Sequence, residues 1–289
     1  MTRDARPPIA RLRHWLLRFE GAPASFVRYA LKARPRDLPL AARTVAWHIR
    51  RGRYLFVLAH PRSGSSLLAH ILQTNPEIAG IGETHRRYRN PLDLLALAGE
   101  ISLARGLTRP PTWFMEKALR ERQVSGRVLA LPRVRVILLT RSPGPTMRSM
   151  LDDLPGLFGA RGGAPVEVGH ARAARRLVAT YDELAVHAEA LGERAFALDY
   201  DDLVGAPDAT LAALTRWLGL REPLTASYRV DEFTTQRGRG DPTPAIRRGR
   251  VDASIPPSAR ALDPSWLAVA ERHYAALREL VARVSTTAR

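Results

Sequence analysis

An apolar, strand-like run is followed at once by a polar turn and a helical segment in YLFVLAHPRSGSSLLAHIL, residues 54–72. The N–H groups of such a turn and of the first helical turn lack intrahelical partners, and the positive end of the helix dipole lies behind them. An oxyanion bound there would accept several hydrogen bonds. The hydroxyls of Ser63, Ser65 and Ser66 add donors, and Gly64 allows close backbone approach. The segment therefore predicts an anion-binding loop.

This loop departs from that of the nucleotide hydrolases at its cationic position. Against the pattern G-x-x-x-x-G-K-S/T, Ala59 replaces the first glycine and Ser65 replaces the lysine. A triphosphate with magnesium would therefore lack its usual lysine clamp. Arg62 lies at the mouth of the loop instead. We expect a cradle for one or two oxyanions, and an ordinary strand–turn–helix with a capping serine is the alternative.

A second candidate anion site follows the next strong strand pattern, VRVILLTRSPGPTMRSM, at residues 134–150. Arg141 comes at the end of this strand, and Ser149 lies eight residues later in the following helix. Open α/β sheets bind ligands at the carboxyl ends of parallel strands, where an arginine can hold a phosphate by two parallel hydrogen bonds. A solvated charge at the strand end is the alternative interpretation of Arg141.

The two motifs together resemble those of the sulfotransferases that use 3′-phosphoadenosine 5′-phosphosulfate (PAPS). In that family a P-K/R-S-G-S/T-S/T loop binds the 5′-phosphosulfate, and an R-x-P-x5-S motif binds the 3′-phosphate. The second motif is similar to Arg141, Pro143 and Ser149 of this chain. The resemblance implies that PAPS is the co-substrate and that no metal is needed. The residues it assigns to the 5′ end are Arg62, Ser63, Gly64, Ser65, Ser66 and Leu67.

Two later segments extend the resemblance, which covers about residues 53–275. The segment YDDLVGAPDATLAALTRWLGL begins with Tyr200, which the resemblance places at the 3′-phosphate end of the nucleoside. The segment GDPTPAIRRGRVDAS is similar to the late loop that folds over the cofactor in bacterial members of the family. Three arginines of this loop are candidates for the cofactor phosphates: Arg247, Arg248 and Arg250.

The resemblance also implies a general base. Glu83 lies 21 positions beyond Arg62, in NPEIAGIGETHRRYRN. The tyrosylprotein and carbohydrate-type branches of the family carry a glutamate at this spacing that deprotonates the acceptor hydroxyl. His85 is the alternative base, because the cytosolic small-molecule branch uses a histidine and histidine titrates near neutrality.

Two cations complete the candidate catalytic set. The resemblance places Arg62 at the sulfuryl end of the donor. Lys117, in WFMEKALRERQ, precedes Arg141 by 24 residues. The same branches carry a lysine in a comparable place, and Lys117 is one of only two lysines in this arginine-rich chain. A surface position on a helix is the alternative for Lys117. We expect His60 to be a packed or hydrogen-bonded residue and not a catalyst.

The function that these motifs imply is sulfuryl transfer from PAPS to a hydroxyl group of a small molecule, glycan or lipid, which gives a sulfate ester and 3′-phosphoadenosine 5′-phosphate (PAP). Two alternatives remain open at this point. One is a P-loop kinase that has lost its lysine, although no aspartate magnesium site or arginine lid accompanies the loop. The other is a basic nucleic-acid-binding protein, although its aromatic residues are scattered and do not interleave with a basic face.

Strands that alternate with helices must position these residues. Apolar runs predict strands at 53–59, 134–141 and 194–200, and periodicity predicts helices at 64–74, 91–104, 112–123, 170–191, 207–218 and 264–284. We expect an α/β, three-layer P-loop-like fold with a central parallel sheet flanked by helices. Long loops at 152–169 and 234–254 are expected to be functional. Residues 51–289 would form the sulfotransferase domain, and residues 1–50 an N-terminal helical extension, with peripheral membrane contact or an oligomer interface as alternatives.

Composition sets outer limits on partners and compartment. The formal net charge of +17 favours anionic partners, and the absence of cysteine excludes disulfides, thiol nucleophiles and cysteine metal sites. No apolar run reaches the ~18–20 residues that span a bilayer, and no signal-peptide pattern opens the chain, so we expect a cytoplasmic protein. The acceptor and the oligomeric state are left open. Residues 84–115 and the 152–169 loop are expected to select the acceptor, with the N-terminal extension as a further candidate.

Overall fold

The apolar run after Arg53 forms the middle strand of a parallel β-sheet in a computed structural model of the protein. The structure describes Trp47 and residues 52–153, 166–235, 240, 245–254 and 258–287. The strands are β1 (Tyr54–Ala59), β2 (Ile78–Gly80), β3 (Trp113–Ala118), β4 (Val134–Thr140) and β5 (Ala195–Asp199). They lie in the order β2-β3-β1-β4-β5, and all four pairings are parallel. The carboxyl ends of β1, β3 and β4 therefore meet at one edge of the sheet.

Helices connect these strands and cover both faces of the sheet. They are α1 (Ser65–Thr74), α2 (Pro91–Arg105), α3 (Gly126–Leu129), α4 (Pro143–Asp153), α5 (Val166–Leu191), α6 (Tyr200–Gly205), α7 (Pro207–Leu218) and α8 (Pro264–Thr287). Short 3₁₀ turns lie at Gly192–Arg194 and Ile246–Arg248. No helix in the described part of the chain is long and apolar enough to cross a membrane.

Alternation along β1 divides the core into two layers. Its six residues are all buried, and they point alternately to opposite faces of the sheet. Phe56 belongs to an apolar cluster with residues of α2, α5 and α8. Val57 belongs to a second cluster with residues of α1 and α7. The predicted three-layer α/β fold with a central parallel sheet is confirmed, because continuous apolar strands require cover on both faces.

Most of the predicted elements are present. The strands expected at 53–59, 134–141 and 194–200 are β1, β4 and β5, and the helices expected at 207–218 and 264–284 are α7 and α8. The remaining helices, apart from one, also lie where they were predicted. The proposed extension, residues 1–50, lies outside the described residues except for Trp47, which packs against the first apolar cluster. Parts of the loops at 152–169 and 234–254 also lie outside the described residues.

The helix predicted at 112–123 is wrong, because this segment forms β3 and the turn that follows it. Alanine, leucine, glutamate, lysine and arginine give the segment a high helix propensity, and tertiary pairing overrides this preference. β3 is paired on both sides, by β2 and β1, and its six residues are buried. Glu116 and Lys117 are both fully buried, so the surface-helix alternative for Lys117 is also wrong.

Candidate active site

The predicted anion-binding loop lies between β1 and α1, at the carboxyl edge of the sheet. Gly64 is the N-cap of α1, it has φ of +87°, and no side chain caps the helix. Arg62 also has a positive φ, of +65°, which costs a non-glycine residue about 1–2 kcal/mol. The first N–H groups of α1 therefore lack a side-chain acceptor from the described residues, at the end of a backbone turn under strain. Such strain is typical of ligand-binding turns.

Tyr200 covers this loop from the end of β5. A Cβ atom at Gly64 would lie 2.2 Å from Cδ2 of the Tyr200 ring, so only glycine fits beneath the ring. The same ring lies 4.3 Å from the guanidinium of Arg141, measured from the ring centroid. This is a cation–π contact, and it places the predicted nucleoside contact against both predicted anion sites.

The two predicted anion sites form one hydrogen-bonded cluster. Nε of Arg62 donates to Oγ of Ser149 at 2.8 Å, and Nη1 of Arg141 donates to the carbonyl oxygen of Arg62 at 3.2 Å. The hydroxyl of Tyr181 donates to the carbonyl oxygen of Arg141 at 2.8 Å, which holds the end of β4 against α5. The structure therefore brings together the loop, Arg141 and Ser149.

Buried polar atoms in this cluster remain available to a ligand. Oγ of Ser63 and Nε of Arg141 are buried and have no hydrogen-bond partner among the described residues. A buried donor without a partner costs about 1–3 kcal/mol, so such atoms are rare in native proteins unless a ligand or water satisfies them. Together with the uncapped start of α1, they fit the oxyanions of a phosphorylated nucleotide.

Lys117 reaches the loop from the neighbouring strand. Its ammonium donates to Oγ of Ser66 at 3.2 Å and lies 3.2 Å from Oε1 of Glu83. The Lys117 side chain is fully buried, and that of Glu83 is 15% exposed, so the carboxylate is the accessible partner. The lysine missing from the loop sequence is therefore supplied by β3, where Lys117 pairs with Val57 of β1.

The two candidate bases are neighbours in the structure. Nδ1 of His85 lies 3.5 Å from Oε2 of Glu83, and its side chain is 37% exposed. His85 has φ of +55° and Gly82 has φ of +78°, so the turn that carries Glu83 is bounded by two left-handed residues. Glu83 also contacts the Lys117 ammonium, at 3.2 Å.

His60, at the start of the loop, is packed against the protein and is not exposed. Its Nδ1 lies 3.0 Å from the carbonyl oxygen of Pro61, and its ring contacts the Tyr181 ring edge-on. Burial lowers the pKa of His60 to about 4, so the imidazole is neutral at physiological pH. A fully buried, neutral histidine of this kind holds the loop in place and is not placed to exchange protons with an acceptor.

Some supporting residues were not anticipated from the sequence. Asp199, directly before Tyr200, accepts a hydrogen bond from Oγ1 of Thr140 at 2.9 Å and another from the hydroxyl of Tyr274 in α8. Its other oxygen caps α6 by accepting from the N–H of Asp201 at 2.9 Å. An aspartate before a helical segment is a capping signal that the sequence carries. Its partners on β4 and α8 are distant in sequence and carry no local signal.

The three late-loop arginines lie at the surface. Arg248 pairs with Asp252, and none of Arg247, Arg248 and Arg250 contacts the anion-binding loop within the described residues. The turn that carries them is held by Tyr228, whose hydroxyl donates to the carbonyl oxygen of Ile246 at 3.1 Å. Tyr228 belongs to the second apolar cluster, and Tyr200 packs against the same cluster.

Comparison with known proteins gives a structural likeness only. No protein-family profile matches the chain, and no curated protein matches it in sequence. The sulfotransferase domain from the curacin biosynthetic pathway is similar in structure, with 17% identity and a TM-score of 0.51, over 76% of this chain and 97% of that domain.

Two other sulfotransferase structures are similar at lower scores. One, from Mycobacterium tuberculosis H37Rv, has 15% identity and a TM-score of 0.46, over 89% of this chain and 84% of the other. A mouse sulfotransferase in complex with PAP has 13% identity and a TM-score of 0.42, over 80% of this chain and 83% of the mouse chain. The fold of this protein is that of the sulfotransferases, as the likeness to the curacin-pathway domain shows.

Proposed function

We propose that this protein is a PAPS-dependent sulfotransferase that sulfates a hydroxyl group of an acceptor. The observation that carries the proposal is the contact of one buried ammonium, Lys117, with both the anion-binding loop and a partly exposed carboxylate, Glu83. A nucleotide-dependent phosphotransferase would use its loop lysine and magnesium for the same phosphates. Here the cation comes from β3 and lies between the donor side and the acceptor side of the site.

The loop and the Arg141 cluster would hold the two ends of the donor. The N–H groups at the start of α1, with Ser63 and Ser66, would bind the 5′-phosphosulfate, and Arg141 with Ser149 would bind the 3′-phosphate. Tyr200 would keep the guanidinium of Arg141 in place through their 4.3 Å contact. When bound, PAPS supplies an activated sulfuryl group whose leaving group is a phosphate of PAP.

Glu83 is the residue that we assign to the acceptor proton. The acceptor oxygen forms a bond to sulfur, the bond from sulfur to the 5′-phosphate oxygen breaks, and the hydroxyl proton passes to a Glu83 carboxylate oxygen. Lys117 and Arg62 would stabilise the negative charge that develops on the departing phosphate. Positioned general bases contribute about 10²–10⁴-fold in rate.

The accessible face of Glu83 defines where an acceptor enters. Its side chain is 15% exposed, whereas the ammonium it contacts is fully buried, so a hydroxyl can reach the carboxylate only from the solvent side. His85, at the surface beside it, would contact the acceptor. We propose a small molecule, glycan or lipid as the acceptor class, and a screen of hydroxyl compounds with radiolabelled PAPS would identify it.

Calorimetry with PAP tests the proposal directly. We expect micromolar binding in the presence of EDTA, because the site supplies arginine and lysine in place of magnesium. Binding of ATP only with magnesium would support the kinase alternative and refute the proposal. Salt-dependent binding to DNA of any sequence, without affinity for PAP, would instead favour the nucleic-acid alternative.

A further inference from the structure

A buried carboxyl group lies on β3 directly before Lys117. Glu116 is fully buried, and its Oε1 accepts two hydrogen bonds from Thr84, from the N–H at 3.0 Å and from the hydroxyl at 2.8 Å. Its Oε2 is buried without a hydrogen-bond partner among the described residues. No sulfotransferase role assigned above uses this carboxyl group.

Glu116 and Lys117 point to opposite faces of β3. Each of them binds one of two consecutive residues of the same turn, Thr84 and Glu83. Neighbouring side chains on a strand point to opposite faces. In the register of β3 against β1, Glu116 lies beside Phe56 on the face of the first apolar cluster. Lys117 lies beside Val57, on the face covered by α1. Since Lys117 binds Glu83 and Glu116 binds Thr84, the turn straddles the end of β3.

The turn requires such anchoring because one of its non-glycine residues, His85, holds a left-handed backbone conformation. Gly82 and His85, on either side of the Glu83–Thr84 pair, both have positive φ. The Thr84 hydroxyl donates to Glu116, so it accepts from the hydroxyl of Tyr88, 2.9 Å away. Tyr88 is fully buried, which fixes the far end of this hydrogen-bonded chain.

We propose that Glu116 is a positioning residue for the candidate base: it anchors Thr84 on one face of β3 and thereby holds Glu83 against Lys117 on the other face. This inference rests on the proposed sulfuryl transfer, in which Glu83 accepts the acceptor proton. Glu116 itself touches neither the donor nor the acceptor, and it acts through the backbone of the turn.

The charge of Glu116 matters because it faces other carboxylates. Glu83 of the turn and Glu100 of α2, which is paired with Arg86, both add negative potential at Glu116. Burial, with a smaller contribution from these two carboxylates, raises the pKa of Glu116 to about 8, although the Thr84 hydrogen bonds oppose the shift. Tyr88, a further titratable neighbour, has a pKa raised well above its usual value by burial and stays neutral.

At neutral pH Glu116 is therefore an uncharged hydrogen-bond acceptor, and it adds no second negative charge beside Glu83. Above pH of about 8 it ionises, and the new charge opposes both the anionic donor and the Glu83–Lys117 arrangement. Glutamine keeps the acceptor oxygen and cannot ionise, whereas alanine removes the anchor. These two variants separate the anchoring role from the charge.

The test compares pH profiles of kcat for wild type, E116Q and E116A, with PAP affinity measured in parallel. We expect wild-type kcat to fall above pH of about 8, and E116Q to retain turnover at neutral pH without that alkaline decline. E116A should lower kcat by about 10–100-fold at every pH, because small misplacements of a reacting group have effects of this size. The matched control is E77Q, a nearly buried glutamate at the amino end of the sheet that also accepts from a threonine hydroxyl and a backbone N–H.

Two kinetic results would overturn the inference: an E116A enzyme with wild-type kcat, or an E116Q enzyme with the wild-type alkaline decline. Infrared spectroscopy provides a readout that needs neither turnover nor the alanine variant. Wild type at pH 7 should show the carbonyl band of a protonated carboxyl group, and E116Q should lack it while E77Q keeps it. A band unchanged in E116Q refutes the neutral anchor even if E116A does not fold. If wild type shows this band but does not turn over PAPS, the proposed function is refuted and the neutral state of Glu116 is not.

Discussion

Replacing Gly64 by alanine should displace Tyr200 from the anion-binding loop and weaken nucleotide binding. The new Cβ atom would lie 2.2 Å from Cδ2 and 2.6 Å from Cε2 of the Tyr200 ring. Ordinary van der Waals contact begins at 3.4 Å, so the ring must move by about 1.2 Å. That movement weakens the contact between the ring and the guanidinium of Arg141, which now lies 4.3 Å from the ring centroid.

The expected loss of affinity follows from the contacts that the displaced ring supports. A cation–π contact contributes about 0.5–2 kcal/mol, and a hydrogen bond to a charged group about 1.5–3 kcal/mol. Because Arg141 would be misplaced and not removed, we expect a loss of about 2–3 kcal/mol, or about 30- to 150-fold in the Kd for PAP. Calorimetric titration with PAP at fixed salt measures this value.

Gly106 supplies the matched control for this substitution. It ends α2 with φ of +59°, and a Cβ atom there would meet nothing within 4 Å. G106A therefore carries a similar left-handed backbone penalty, about 1–2 kcal/mol of stability, without a steric clash. If G64A binds PAP as tightly as G106A does, then Tyr200 and Arg141 do not form the nucleotide site, and the reasoning fails.

Three further predictions concern the charged residues of the site. E83Q should bind PAP at least as tightly as wild type, because it removes a negative charge that competes for Lys117. It should lose about 10²–10⁴-fold in kcat, measured with labelled PAPS, because it removes the base; wild-type turnover would return the assignment to His85. R141A should weaken PAP binding by at least about tenfold in calorimetry, whereas alanine at the exposed Arg172 should not, and equal effects would remove the 3′-phosphate assignment. The pKa of Glu116 is about 8 in the folded protein, against 4.5 for the same group in the unfolded chain. The folded state therefore holds a proton that the unfolded state has lost, and the free energy of unfolding should decline from pH 4.5 to 8, by at most about 5 kcal/mol. Denaturant titrations should show this decline in wild type and not in E116Q, and equal slopes would contradict it.

The part of the site that the sequence predicts is the part built from local signals. β1, the Gly64 turn and the start of α1 are consecutive, so their periodicity and glycine placement predict both the fold and the anion site. Arg141 is read in the same way from its position at the end of β4. In each case a buried strand ends at a polar residue, and the sheet places those ends at one edge.

The part that the sequence does not predict depends on strand order. Lys117 lies in a segment with the composition of a helix, and only the pairing of β3 between β2 and β1 makes it a buried strand residue. Its partners, Ser66 and Glu83, are 51 and 34 residues away, so no local pattern joins them. Likewise, Tyr274 stabilises Asp199 from 75 residues away, from a helix whose sequence shows only amphipathic spacing.

One ammonium serves both halves of the proposed reaction, which couples them thermodynamically. Lys117 is shared between Ser66 of the loop and Glu83, at 3.2 Å from each. An anion that settles on the loop competes with Glu83 for this single positive charge. By reciprocity, an acceptor that draws the Glu83 carboxylate away would strengthen the hold of Lys117 on the anion. Donor binding would then loosen Glu83 from Lys117, so the carboxylate would be released toward an acceptor only when a donor is in place.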